Sequence, residues 1–132
     1  MSDEYKIFTH IDPANIPDLI EVVNRKYEAG KYWAEAVSVY NALEKRLSIE
    51  LARIKQKIRI EYAPPEGKKS WSADDLDDAA KSTEEYEQFV NMLNDAHKEM
   101  LKAINEKATW ENTFDSVRSI AATERELHKG LK

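Results

Sequence analysis

The chain has 132 residues, 34% of them charged, with a net charge of −5 and no cysteine. That length suits one domain with a modest core, and the missing cysteines exclude disulfides and thiolate chemistry. No stretch approaches the apolar length of a membrane span, and MSDEYKIFTH has no basic region leading into an apolar run, so the expectation is a cytoplasmic protein without a signal peptide.

The first predicted element lies near 14–29. Asp12 before Pro13 can cap it, and Pro17 fits a first helical turn. Leu19, Ile20, Val22, Val23 and Tyr27 follow, and Gly30 suits a left-handed stop. Residues 1–30 are therefore read as an N-terminal arm with a short helix.

The second element is a long basic helix over 31–63. From Lys31 to Tyr62 it would measure roughly 48 Å. Trp33, Ala36, Tyr40, Leu43, Leu47, Leu51, Ile54 and Ile58 fall on one narrow face. The stretch 58–62 also alternates like a strand, but the helical stripe is longer and prevails. Pro64-Pro65 ends it, because a residue before proline disfavours the α conformation.

Residues 64–72 form a loop, and 73–130 a C-terminal helical half. Ser72 is a good N-cap for a short helix over 73–81, with Asp74 and Asp75 in its first turn. Ser82-Thr83-Glu84-Glu85 repeats the capping-box spacing, where a helix restarts. Its apolar positions are Phe89, Val90, Leu93, Ala96, Met100, Ile104, Trp110, Phe114, Val117, Ala121 and Leu127. Their phase weakens at Lys107–Thr109, which predicts a bend or break. The fold class expected is all-α: long antiparallel helices in a coiled-coil-like bundle. Thin stripes with charged flanks also imply a homo-oligomer, in which other subunits complete the core.

Charge is unevenly placed. Residues 45–69 hold eight Lys/Arg against three Glu, and residues 74–87 hold seven Asp/Glu against one Lys. Such an asymmetry matters more than the total for what a surface attracts. Arg46, Arg53 and Lys57 line one flank of the stripe at spacings of seven and four, suited to a phosphate backbone. Lys45, Lys55 and Arg59 lie on the other side, and Lys68 and Lys69 continue into the loop. The alternative is plain solvation, with pairing to Glu44, Glu50 and Glu61.

Trp71 sits beside Lys68 and Lys69, where an aromatic ring can stack an unpaired base. It also precedes the Ser72 cap, with Leu76 at the fourth helical position, the arrangement of a hydrophobic staple. Tyr62 is read as an end-of-core residue. The acidic stretch 74–87 is read as dipole-favoured carboxylates on a solvated helix start. The other readings are a basic partner or competition with DNA for the basic segment.

Metal and catalytic patterns are absent. His10, His97 and His128 are scattered, Glu124 and His128 have no partner pair, and no phosphate-binding glycine loop or nucleophile elbow occurs. No enzyme activity, metal or cofactor is expected.

Lys57-Ile58-Arg59-Ile60-Glu61-Tyr62 resembles the basic motif of the UvsY-type recombination mediators of T-even phages, which reads Lys-x-Arg-apolar-acid-Tyr. As in that family, a long charged helix (YWAEAVSVYNALEKRLSIELARIKQ) precedes the motif and a polar, glycine-containing loop (APPEGKKSWSADD) follows it. The similarity extends loosely to a C-terminal half ending FDSVRSIAATERELHKG. The resemblance implies a non-enzymatic helical protein, assembled as a ring-like homo-oligomer. It implies sequence-independent binding of single-stranded DNA, and help in replacing single-strand-binding protein with a RecA-like recombinase. A phage-encoded member would work in the host cell cytoplasm. Lys57 and Arg59 carry over as the DNA-binding pair, and the C-terminal helix as an assembly element. The chain departs from the family in its negative net charge and in residues 1–30, which the resemblance does not cover. The competing reading is a structural or interaction bundle that binds another protein and no nucleic acid.

Overall fold

The computed structural model describes residues 16–130, and the expected cap Asp12, Pro13 and His10 lie outside them. The described residues are helical, with no strand: α1 covers Ile16–Glu61, α2 Ala73–Lys81 and α3 Glu84–Gly130.

Helix α1 differs from the sequence expectation at Gly30. The chain does not stop there; it stays helical from Ile16 through Gly30 to Glu61. Among the described glycines only Gly67 has a positive φ. A single glycine costs a helix about 1 kcal/mol relative to alanine, and burial on either side outweighs that. Val22, Ala29 and Ala36 are buried at intervals of seven, so the apolar face passes through Gly30 without a change of phase. Pro17 stands in the first turn, where its missing N–H is tolerated.

Further along α1 the expected stripe is the buried face. Ala36, Ile54 and Ile58 are buried, and Trp33, Tyr40, Leu43, Leu47 and Leu51 are half-buried. The helix ends at Glu61, and the Tyr62 N–H still bonds the Ile58 carbonyl at 2.9 Å. The Lys68 N–H then bonds the Pro65 carbonyl at 3.0 Å, closing a turn with Gly67 at its third position. Gly67 has φ +83°, the conformation that a type II turn requires there and that glycine adopts without a side-chain penalty.

Helix α2 matches its expected bounds. The Ser72 side chain accepts the Asp75 N–H at 3.1 Å, as an N-cap should. Ser82, expected to open the next helix, instead closes α2: its N–H bonds the carbonyls of Asp78 and Ala79. The opening cap is Thr83, whose hydroxyl oxygen accepts the Tyr86 N–H at 3.2 Å.

Helix α3 runs unbroken through Lys107–Thr109, so the expected bend is absent. The reason is a seven-residue register that continues through the expected break by way of Ala103. Phe89, Ala103, Trp110 and Val117 are buried, and Ala96 is half-buried; their numbers differ by sevens. Ala103 holds the place that the sequence reading gave to Ile104, which is 40% exposed. Leu127 is also exposed.

Contacts divide the chain into two compact units. The described parts of Met1–Glu35 and Leu101–Lys132 form one, and Ala36–Met100 forms the other. In the first, Val22, Ala29, Trp110 and Val117 make a buried cluster, with Leu19 and Phe114 packed against it. The Lys26 ammonium lies 4.3 Å from the Phe114 ring centre, and that of Lys107 5.1 Å from the Trp33 ring centre. In the second, Ile54, Ile58, Leu76 and Ala80 make the cluster, flanked by Leu51, Trp71, Ala79 and Tyr86.

Candidate nucleic-acid interface

The second unit holds every residue that sequence reading assigned to DNA. Its cluster joins the C-terminal part of α1 to α2 through Ile54, Ile58, Leu76 and Ala80. This packing brings the basic stretch 45–69 against the acidic stretch 74–87, and the two pair.

Glu85, near the start of α3, takes two cations. Its Oε2 accepts from Arg53 at 2.7 Å and its Oε1 from Lys57 at 2.9 Å. Hydrogen bonding from Lys57, then from Arg53, holds the Glu85 carboxyl below its ordinary value. The same bonds raise Lys57 and Arg53 above theirs. Arg53 also donates through Nε to Glu50 at 3.2 Å, and Arg46 donates to the same carboxylate at 3.2 Å. The Arg53 bond, then the Arg46 bond, lowers Glu50.

Asp75 and Asp77 extend the pattern. Lys68 reaches Asp75 at 2.5 Å, and with the Ser72 bond it lowers that carboxyl. Asp77 lies 3.0 Å from both Lys81 and Lys55, and the Lys81 bond, then that of Lys55, lowers it. The acidic stretch is therefore not simply solvated, as its position at a helix start implied. Of the three glutamates expected to neutralise α1, Glu50 does so, and Glu44 instead accepts the Tyr40 hydroxyl at 2.7 Å.

Each predicted site residue then has a definite place. Arg46, Arg53, Lys57 and Lys68 are exposed and ion-paired. Arg59 and Lys69 are exposed and, among the described residues, have no ion pair. Lys45 shares that state. Trp71 is half-buried against the second unit's cluster together with Leu76, as a staple places it. Its indole N–H donates to the Tyr62 carbonyl at 3.2 Å. Tyr62, read from sequence as an end-of-core residue, is 62% exposed.

Sequence reasoning missed the bridging role of Glu85. The available signal was the pair of opposite charge blocks separated by one loop, too short to carry them far apart. Among the described residues, no group of three or more His, Cys, Asp or Glu could hold a metal ion. No described helix is long and apolar enough to cross a membrane. Compared with family models, with curated proteins and with solved structures, the chain matches none.

Proposed function

We propose that the chain is a non-enzymatic protein that binds single-stranded DNA without sequence preference, through the C-terminal end of α1 and the loop after it. The observation that carries the reading is Arg59. It lies in the basic motif Lys57–Tyr62, is exposed, and has no ion pair among the described residues. Lys69 adds a second exposed, unpaired cation from the loop. Long cationic side chains of this kind neutralise phosphates whatever the base sequence. Lys57 and Arg53 are shared with Glu85 by exposed contacts that water screens, so phosphate can compete with that carboxylate for them.

The resemblance to UvsY-type mediators gives this binding a purpose: exchange of single-strand-binding protein for a RecA-like recombinase, in the host cytoplasm of a phage. In this reading the two long helices run antiparallel and several copies assemble, so that each contributes a few cations and repetition supplies the affinity. Ile20, Val23 and Tyr27 support assembly. They are exposed on α1 at spacings of three and four, the seam by which one helix packs on another. Light scattering should show more than one copy per particle; a monomer at all concentrations would remove the assembly.

A second reading rests on the carboxylates. With Arg53, Lys57 and Lys68 already partnered, the same surface would suit an interaction bundle that binds another protein and no nucleic acid. An electrophoretic shift with a single-stranded oligonucleotide across a salt series separates the two. The DNA reading expects binding at about 50 mM salt that weakens steeply as salt rises. It also expects Lys57→Ala with Arg59→Ala to weaken binding while helicity is kept. No shift at the lowest salt favours the interaction bundle.

A further inference from the structure

Two aromatic residues flank the loop after α1: Trp71 is half-buried as a staple, and Tyr62 is exposed where its position implies the end of the core. Trp71 packs against Ile54, Ile58, Leu76 and Ala80 and spends its N–H on the Tyr62 carbonyl. Tyr62 is in phase with the buried stripe, four residues after Ile58, yet the residue is 62% exposed. The helix ends one residue before it, and the place at the end of the core is taken by Trp71. Tyr62 thus has a fixed backbone and a free ring: its N–H bonds the Ile58 carbonyl and its C=O accepts the indole of Trp71.

Arg59 stands three residues before Tyr62, on the last turn of α1. Arg59 is the exposed cation without an ion pair in the motif. An exposed aromatic ring on a held backbone and an unpaired guanidinium one turn earlier suit both halves of an unpaired nucleotide: a base with a π-face and a phosphate with a charge.

We propose that Tyr62 is a base-stacking residue for single-stranded nucleic acid, with Arg59 taking the adjoining phosphate. This rests on the single-strand-binding reading above and specifies which contact distinguishes bases from bare phosphate. Double-stranded DNA keeps its bases stacked on each other, so Tyr62 gives a preference for single strands that cations alone do not.

The test is a fluorescence-anisotropy titration of the full chain at about 50 mM salt, with labelled oligothymidylate and with an abasic oligomer of equal length and charge. The parent should bind oligothymidylate more tightly than the abasic strand. Tyr62→Ala should lower oligothymidylate affinity about tenfold and leave abasic affinity unchanged, whereas Tyr62→Phe should keep both. Arg59→Ala should lower both. Circular dichroism should show all variants folded, because the Tyr62 contacts that fix the loop are made by its backbone. If Tyr62→Ala keeps the parent's ratio of the two affinities, stacking is overturned while single-strand binding stands. If the parent binds neither strand, both fall.

Discussion

Lys57 and Glu85, 28 residues apart, are joined at 2.9 Å across the packing of α1 on the start of α3. The other oxygen of Glu85 holds Arg53 at 2.7 Å. One carboxylate thus occupies two of the cations that a phosphate chain would need. Its removal should expose them without disturbing the buried cluster.

Glu85→Gln is accordingly expected to raise affinity for single-stranded DNA. Arg53 keeps Glu50, and Lys57 loses the partner that raises it most. Each phosphate newly neutralised on a single strand steepens the salt dependence by about 0.7 logarithmic units. Released Lys57 should therefore steepen it by about 0.7, with a smaller addition from Arg53, which keeps Glu50. Anisotropy titrations of parent and variant over a salt series measure both quantities. An affinity that stays level or drops would show that these cations do not meet DNA.

Acid should loosen the same region. Glu50, Asp75, Asp77 and Glu85 all have carboxyls held below their ordinary values by bonded cations. A lowered folded value means the native state keeps its negative charge to lower pH than the unfolded chain does. The stabilisation is complete above the ordinary carboxylate range, near pH 4, and is lost as pH falls through the lower folded values. Thermal melts followed by circular dichroism should show Tm declining below that range. A Tm unchanged down to about pH 2 would contradict the pairing, since the ordinary carboxylate has by then taken up its proton.

Gly30→Ala should stabilise the protein by about 0.5–1 kcal/mol. Residue 30 is helical, and a Cβ there would meet nothing within 4 Å. Chemical denaturation would register the gain as a higher midpoint at unchanged slope. A loss would mean that the glycine serves a close approach not visible at this position.

Trp110→Ala should cost about 3–5 kcal/mol, as removal of a large buried side chain does. Trp110 is 1% exposed and shares its cluster with Val22, Ala29 and Val117. Small Ala29 in the same cluster offers no flexible side chain to refill the space, which favours the upper part of that range. Equilibrium unfolding of parent and variant gives the difference. A change below 1 kcal/mol would place the indole outside the core.

Much of the helical content was legible because Pro64-Pro65, Ser72 and the stripe from Trp33 to Ile58 each point to one local outcome. The boundary at Gly30 was not, because a glycine marks a helix end only where burial does not continue past it; Ala29 and Ala36 show that it does. The register of α3 was hidden by Ile104, whose size drew the stripe one residue away from Ala103. A small residue can be wholly buried while leaving little trace in a hydrophobic pattern. At the candidate site, the charge blocks were plain in sequence, but their mutual pairing depends on how Leu76 and Ala80 dock on Ile54 and Ile58. The packing of Trp71 was legible in its staple spacing to Leu76, but the exposure of Tyr62 was not: α1 ends one residue before it, and its carbonyl is held by the indole N–H across nine residues of chain.

The three tryptophans divide between the two compact units. Trp33 and Trp110 belong to the first and Trp71 to the second. Replacing the first two with phenylalanine leaves a single indole emitter beside the loop, its nitrogen tethered to the carbonyl of Tyr62. That doubly substituted molecule carries an intrinsic optical gauge: a shift in emission colour or lifetime on adding an oligonucleotide would report whether a strand reaches that corner, with no dye attached.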